Sequence, residues 1–254
     1  MTGPGADPVQ QTALSAHRRT LALACRVLAH AGLAEDVLGH VSLRLSDDRV
    51  LVRCRGPEER GLLFTRGEDI RLVDLDGVGD LGEHALPKEF PIHAEVLRAR
   101  PDVAAVVHVH PPSVLLAGLA DVPLRPVFGA YNIPASRMAE VGVPVYGRAV
   151  LIMTSTLGRE MVAAMGDASV CVLRGHGATT VGSSVEQAVV RALNLEVLAR
   201  VCVDLERMKG KASAVPDLSP DERAQLPDLG ADFNDVLIWR HHVSRLDHAG
   251  LARL

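Results

Sequence analysis

The chain has 254 residues, of which 48% are apolar and 23% charged, with a formal net charge of −4 at neutral pH. That is enough apolar residue for a full core in one α/β domain, and the mildly acidic balance leaves no cationic surface for nucleic acid or an anionic membrane. The cysteines Cys25, Cys54, Cys171 and Cys202 lie far apart with no Cys-x-x-Cys pair, so they read as reduced core residues rather than a disulfide framework. The first residues lack a basic start followed by an apolar run, and no later segment is apolar for long enough to cross a bilayer, so a cytoplasmic location is expected.

Residues 1–10 are rich in Gly and Pro and are expected to form a disordered tail, with residues 11–254 as one domain. Thr12 to Ala31 carries Leu14, Leu21, Ala24, Cys25 and Leu28 at helical spacing and stops at Gly32. Val41 to Leu45 and Val50 to Arg53, separated by Asp47-Asp48, read as a hairpin, and Ile70 to Leu75 as a third strand. Phe90 to Arg100 has the helical period and ends at Pro101, which puts Glu89 at a helix entrance. Val103 to Val109 is an apolar, β-branched strand, and Pro111-Pro112 permits only the first turn of a helix after it. Shorter helices are expected over Ala135 to Glu140 and Gly158 to Met165, with a strand over Ala149 to Met153 between them and another over Val170 to Leu173. Ser183-Ser-Val-Glu186 reads as a capping box for a helix from Val185 to Met208. Lys211 to Leu229 reads as a loop before a last helix from Asp232 to Leu246. Hairpins mixed with helices predict a three-layer α/β fold, its central sheet largely antiparallel and covered by helices on both sides.

Three features carry chemistry. In His108-Val-His110 the period of two puts both imidazoles on one face of the strand end. Alone, that pair suits a metal ion or two rings satisfied by backbone carbonyls. Leu173-Arg-Gly-His-Gly177 runs from a short apolar strand into a histidine between glycines, where a turn can present one ring to a ligand or simply happen to carry it. With Glu89 upstream, the joint reading is a site of three histidines beside a carboxylate. His93 either faces that site or is a polar core residue bonded to backbone.

In this order, and over most of the chain from the helix near Leu14 to the one ending near Lys209, the motifs resemble the class II aldolase and adducin family. That family includes fuculose-phosphate aldolase, ribulose-phosphate epimerase and metal-dependent decarboxylases. The resemblance implies a divalent metal ion on His108, His110 and His176, with Zn first and Mn, Fe or Co also suited to the donors. It implies Glu89 as the acid/base carboxylate, able to act as a fourth ligand without substrate. Tyr131, in Gly129-Ala-Tyr-Asn-Ile133, falls near a tyrosine that family aldolases contribute across a subunit boundary. A homo-oligomer, a four-fold tetramer with its site at that boundary, is the corresponding expectation.

The sugar-phosphate members cradle phosphate with a Gly-Asn-x-Ser turn, a Thr-Gly turn and a Ser-Ser pair. Here the first reads Gly39-His40-Val41-Ser42, the second is best matched by Arg55-Gly56, and Pro87-Lys88 precedes Glu89. His40, Arg55 and Lys88, read as bulky cationic donors, would shrink the pocket and favour a carboxylate. Singly, Arg55 and Lys88 equally suit ordinary surface charge, and His40 a turn histidine bonded to backbone. The substrate expected is a small hydroxylated carboxylate without phosphate, of the dihydroxyphthalate type, and the reaction a decarboxylation. The alternatives are aldol cleavage or epimerisation of a sugar phosphate, then an iron oxygenase or an adducin-like interaction module.

Overall fold

The computed structural model describes residues 8–208 and 215–253. Its centre is a seven-stranded sheet: β1 (His40–Arg44), β2 (Arg49–Arg53), β3 (Ile70–Asp74), β4 (Ala105–Val109), β5 (Val145–Tyr146), β6 (Val170–Leu173) and β7 (Gly177–Gly182) stand in the order β3-β2-β1-β4-β7-β6-β5. Every neighbouring pair is antiparallel except β5 and β6, as the expectation of a largely antiparallel sheet requires.

Alternation along the central strands divides the core in two. Val41, Leu43, Leu51, Ala105, Val107 and Val109 face one side, where α1 (Pro8–His30), α6 (Val185–Arg207) and α8 (Ile238–His248) cover them, Trp239 among the packed residues. Val50, Val106, Cys171, Leu173 and Val181 face the other side, under α2 (Phe90–Ala99) and α5 (Ser155–Met165). Further along the first side, α3 (Pro112–Leu119) and α4 (Ile133–Glu140) pack on α6. The polar partners of the alternation, His40, Ser42 and His108, therefore lie on the α2 side, and all three are buried.

Several expectations change. Helix α1 begins at Pro8, so residues 8–10 are helical rather than part of a tail, while residues 1–7 lie outside the described residues. Proline suits a first helical position because the amide it lacks would have no partner there. Ala149 to Met153 is not a strand: Leu151 and Met153 are exposed, Ile152 is buried, and the sheet already ends at β5. The cap of α6 sits one residue later than expected. Ser184 accepts from Gln187 N–H, and Gln187 reaches back to the amide of Ser183. Within the segment expected to be a loop, Ser219 and Glu222 form a capping box that opens α7 (Pro220–Gln225). Residues 232–237 are wound with π-helical bonding and continue into α8, which runs to His248.

All four cysteines are buried free thiols, and burial pushes Cys25, Cys54 and Cys171 up to about 12. No helix among the described residues is long and apolar enough to cross a membrane.

Candidate metal centre

His108 is the penultimate residue of β4, paired across the sheet with His40 of β1 and Thr179 of β7, and His110 follows at the strand exit. Between β6 and β7 the chain reverses through Arg174-Gly175-His176. Gly175 takes a positive φ of 64°, which a side chain would oppose, and the turn directs His176 back toward β4. At Gly177 a Cβ would lie 2.4 Å from the carbonyl oxygen of Val109 and 2.7 Å from the His110 ring. Glycine there lets β7 close on the exit of β4.

Glu89 stands at the N-cap of α2 but does not cap its own helix. Its Oε1 accepts from the backbone N–H of Ile152 at 2.8 Å, which is what the segment expected to be a strand supplies instead. Oε2 then faces the rings, 3.3 Å from His176 Nε2 and 3.6 Å from His108 Nε2. His108 Nε2 and His110 Nε2 are 3.0 Å apart. One donor atom from each of Glu89, His108, His110 and His176 lies within 4.8 Å of the others.

This cluster fits a divalent cation on its own chemistry. His176 Nε2, the ring nitrogen that faces Glu89, is buried without a hydrogen-bond partner, a condition that costs about 1–3 kcal/mol unless an ion accepts its lone pair. Burial, and then the neighbouring imidazoles, hold His108 well below its ordinary pKa, and burial followed by His176 brings His110 down to about 4. Both rings are therefore neutral at neutral pH, with lone pairs free to bind an ion.

The other expected site residues divide. His40 and Ser42 sit beside the cluster: the His40 ring stacks on that of His108, with centroids 4.9 Å apart. His40 is not a cationic donor, however. Burial, and then the proximity of His93, His110, Arg53 and Arg55, keep it neutral. Arg55 is half-buried, pairs through its backbone with Ala85, and points Nη2 at the carbonyl of Val37, 3.4 Å away. Gly56 lines a cavity of about 350 Å³ with Arg53, Glu59 and His84, and none of the four converging side chains is in its wall. Lys88 is exposed. Tyr131 is 68% exposed and packs edge-on against Phe128. Among the described residues, neither Gly56, Lys88 nor Tyr131 makes a hydrogen bond or ion pair with the four converging side chains.

His93 is the residue that sequence reasoning left open. It is fully buried on α2, with Nε2 2.6 Å from His40 Nδ1 and Nδ1 2.6 Å from Ser42 Oγ. The signal available was the period of two in His40-x-Ser42, which repeats that of His108-x-His110 on the neighbouring strand.

Residues 19–203 match the Class II Aldolase and Adducin N-terminal domain. The chain is 51% identical over 237 residues to a 3,4-dihydroxyphthalate decarboxylase of Arthrobacter keyseri, covering 91% of this chain and 94% of that protein. It is 48% identical to one of Rhodococcus jostii, covering 93% and 98%. Among solved structures, an aldolase II superfamily protein from Pseudomonas syringae superposes with a TM-score of 0.78 at 21% identity, covering 94% of each chain.

Proposed function

The chain belongs to the class II aldolase and adducin family, and from that membership we propose that it is a divalent-metal-dependent carboxy-lyase acting on 3,4-dihydroxyphthalate or a close analogue. The observation that carries this reading is identity near one half, over nine-tenths of the chain, to decarboxylases of that acid. The absence of the family's phosphate cradle at His40, Arg55 and Lys88 supports it from the pocket side.

His108, His110 and His176 are the residues to hold the ion, with zinc as its proposed identity. When bound, it supplies Lewis acidity that stabilises the negative charge left on the ring as the bond to the carboxylate breaks. Glu89 has its orientation fixed by Ile152, so Oε2 is the atom that exchanges a proton with the substrate. In the net reaction the carbon–carbon bond breaks, carbon dioxide departs, and the ring carbon takes a proton to give a dihydroxybenzoate. Arg55 and Lys88, with Gly56 and His40, form the proposed binding surface for the acid, whereas Ser42, expected to join them, is fully buried behind His93 and does not reach it.

Tyr131 is assigned to the site of a neighbouring subunit in a tetramer. Its exposure leaves the ring free for that role. The enzyme is placed in the cytoplasm.

The test is to offer the metal-loaded protein 3,4-dihydroxyphthalate and, separately, L-fuculose 1-phosphate, and to separate the products by chromatography. Formation of a dihydroxybenzoate with no aldehyde from the sugar phosphate is expected. Aldol cleavage of the sugar phosphate without decarboxylation would overturn the reading.

A further inference from the structure

Ser42, His93 and His40 form an unbroken chain of side chains from the sheet through α2 to the metal centre. Ser42 and His93 are fully buried and His40 is 5% exposed, so each polar hydrogen in the chain needs a partner within the protein or at the site. Two arrangements of the protons are possible, because a neutral imidazole donates from one nitrogen and accepts at the other.

In the first, Ser42 Oγ–H donates to His93 Nδ1, His93 Nε2–H donates to His40 Nδ1, and His40 carries its remaining proton on Nε2. In the second, every bond is reversed: His40 Nδ1–H donates to His93, His93 Nδ1–H donates to Ser42, and the Ser42 hydroxyl must place its own proton elsewhere. Among the described residues Ser42 Oγ has no hydrogen-bond partner other than His93 Nδ1. The second arrangement therefore leaves a fully buried hydroxyl proton unpaired, a penalty that biases the balance by about ten-fold or more toward the first.

We infer that Ser42 and His93 are positioning residues that fix His40 as its Nε2–H tautomer, so that His40 presents a neutral hydrogen-bond donor to an anionic substrate oxygen beside His108. Nothing on the described chain competes for that donor, since Nδ1 makes the one hydrogen bond found for the His40 ring. Stacking on His108 holds the ring in place. A neutral donor suits an ionised carboxylate or phenolate oxygen, and it adds no positive charge beside a cation. The depressed titration of His93, to about 3, agrees with a ring that stays neutral at working pH.

The substrate half of this inference rests on the decarboxylase reading, whereas the tautomer half does not, and the two are separable by experiment. Long-range proton–nitrogen correlation on zinc-loaded protein labelled with 15N-histidine reports which ring nitrogen of each histidine is protonated. His40 and His93 are both expected to carry the proton on Nε2 with a bare Nδ1. A His40 ring protonated on Nδ1 in the unmodified protein would overturn the inference whatever the substrate proves to be.

The role is tested by Ser42→Ala and Ser42→Thr. Ser42→Ala is expected to give a mixture of tautomers at His40 and to lower kcat/KM for 3,4-dihydroxyphthalate about ten-fold with metal content unchanged. Ser42→Thr, which keeps the hydroxyl, is expected to restore both. A Ser42→Ala protein with mixed tautomers and unaltered kcat/KM would make the chain a structural network only and refute the donor role.

Discussion

Gly177→Ala probes how closely the metal centre depends on the approach of β7 to β4. The added methyl would lie 2.4 Å from Val109 O, 2.7 Å from His110 Cδ2 and 3.1 Å from His110 Cα. Two of these neighbours are backbone atoms, so no side-chain rotation relieves the contact. The β4–β7 pairing at Val109 and Ala178 must open instead, and His110 moves with it. Forced shifts of this kind in a packed region cost about 1–3 kcal/mol. Because the displaced residue is a proposed ligand, metal affinity is expected to fall about 10- to 100-fold, as it does when the support of a ligand is removed. Competition against a chelator of known affinity measures the second quantity, and thermal unfolding of metal-free protein the first. Gly147→Ala is the control, since a Cβ there meets nothing within 4 Å. Unchanged metal affinity and melting temperature in Gly177→Ala would refute the claim that this glycine sets the ligand geometry.

Three further predictions concern the same region. Glu89→Gln is expected to keep the metal and lose about 10²- to 10⁴-fold in kcat, the range of a general acid or base, and retained turnover would remove Glu89 from that role. Arg55→Ala is expected to raise KM for the dicarboxylate about ten-fold at unchanged kcat, and an unaltered KM would return Arg55 to ordinary surface charge. The third follows from His93, which takes up a proton near about 3 when folded but near about 6.5 when unfolded. Between those values the unfolded chain binds more protons, so this ring makes the protein lose stability as pH falls, by about 2 kcal/mol on reaching about pH 5. In urea titrations of metal-free protein, His93→Gln is expected to be less stable at neutral pH and to show a shallower loss on acidification; parallel pH profiles would contradict this.

Much of the architecture was legible because apolar period and turn chemistry agreed. The hairpin around Asp47-Asp48, the helix after Glu89 and the strand that carries His108 all lie within a few residues of their expected bounds. β7 gave no comparable signal: Gly177-Ala-Thr-Thr-Val-Gly182 is flanked by glycines and carries no large side chain but Val181, so its pairing to β4 and β6 is set by the sheet around it. The stretch around Ile152 failed in the opposite sense. Its continuous apolar run, Ala149 to Met153, is that of a buried strand, yet the amide of Ile152 serves Glu89 rather than a neighbouring strand. The three histidines and Glu89 could be grouped from their motifs, whereas His93 could not. The period of two in His40-x-Ser42 puts those two side chains on one face, but the role of His93 depends on α2 lying over that face, a tertiary relation that the local pattern does not supply.

The most direct measurement is carbon dioxide release from 3,4-dihydroxyphthalate while metal-free protein is titrated with a divalent ion, the bound metal being counted by elemental analysis. Release that rises with loading and levels off at about one ion per chain is the predicted result. Release indifferent to the ion, or none from fully loaded protein, would contradict the assignment.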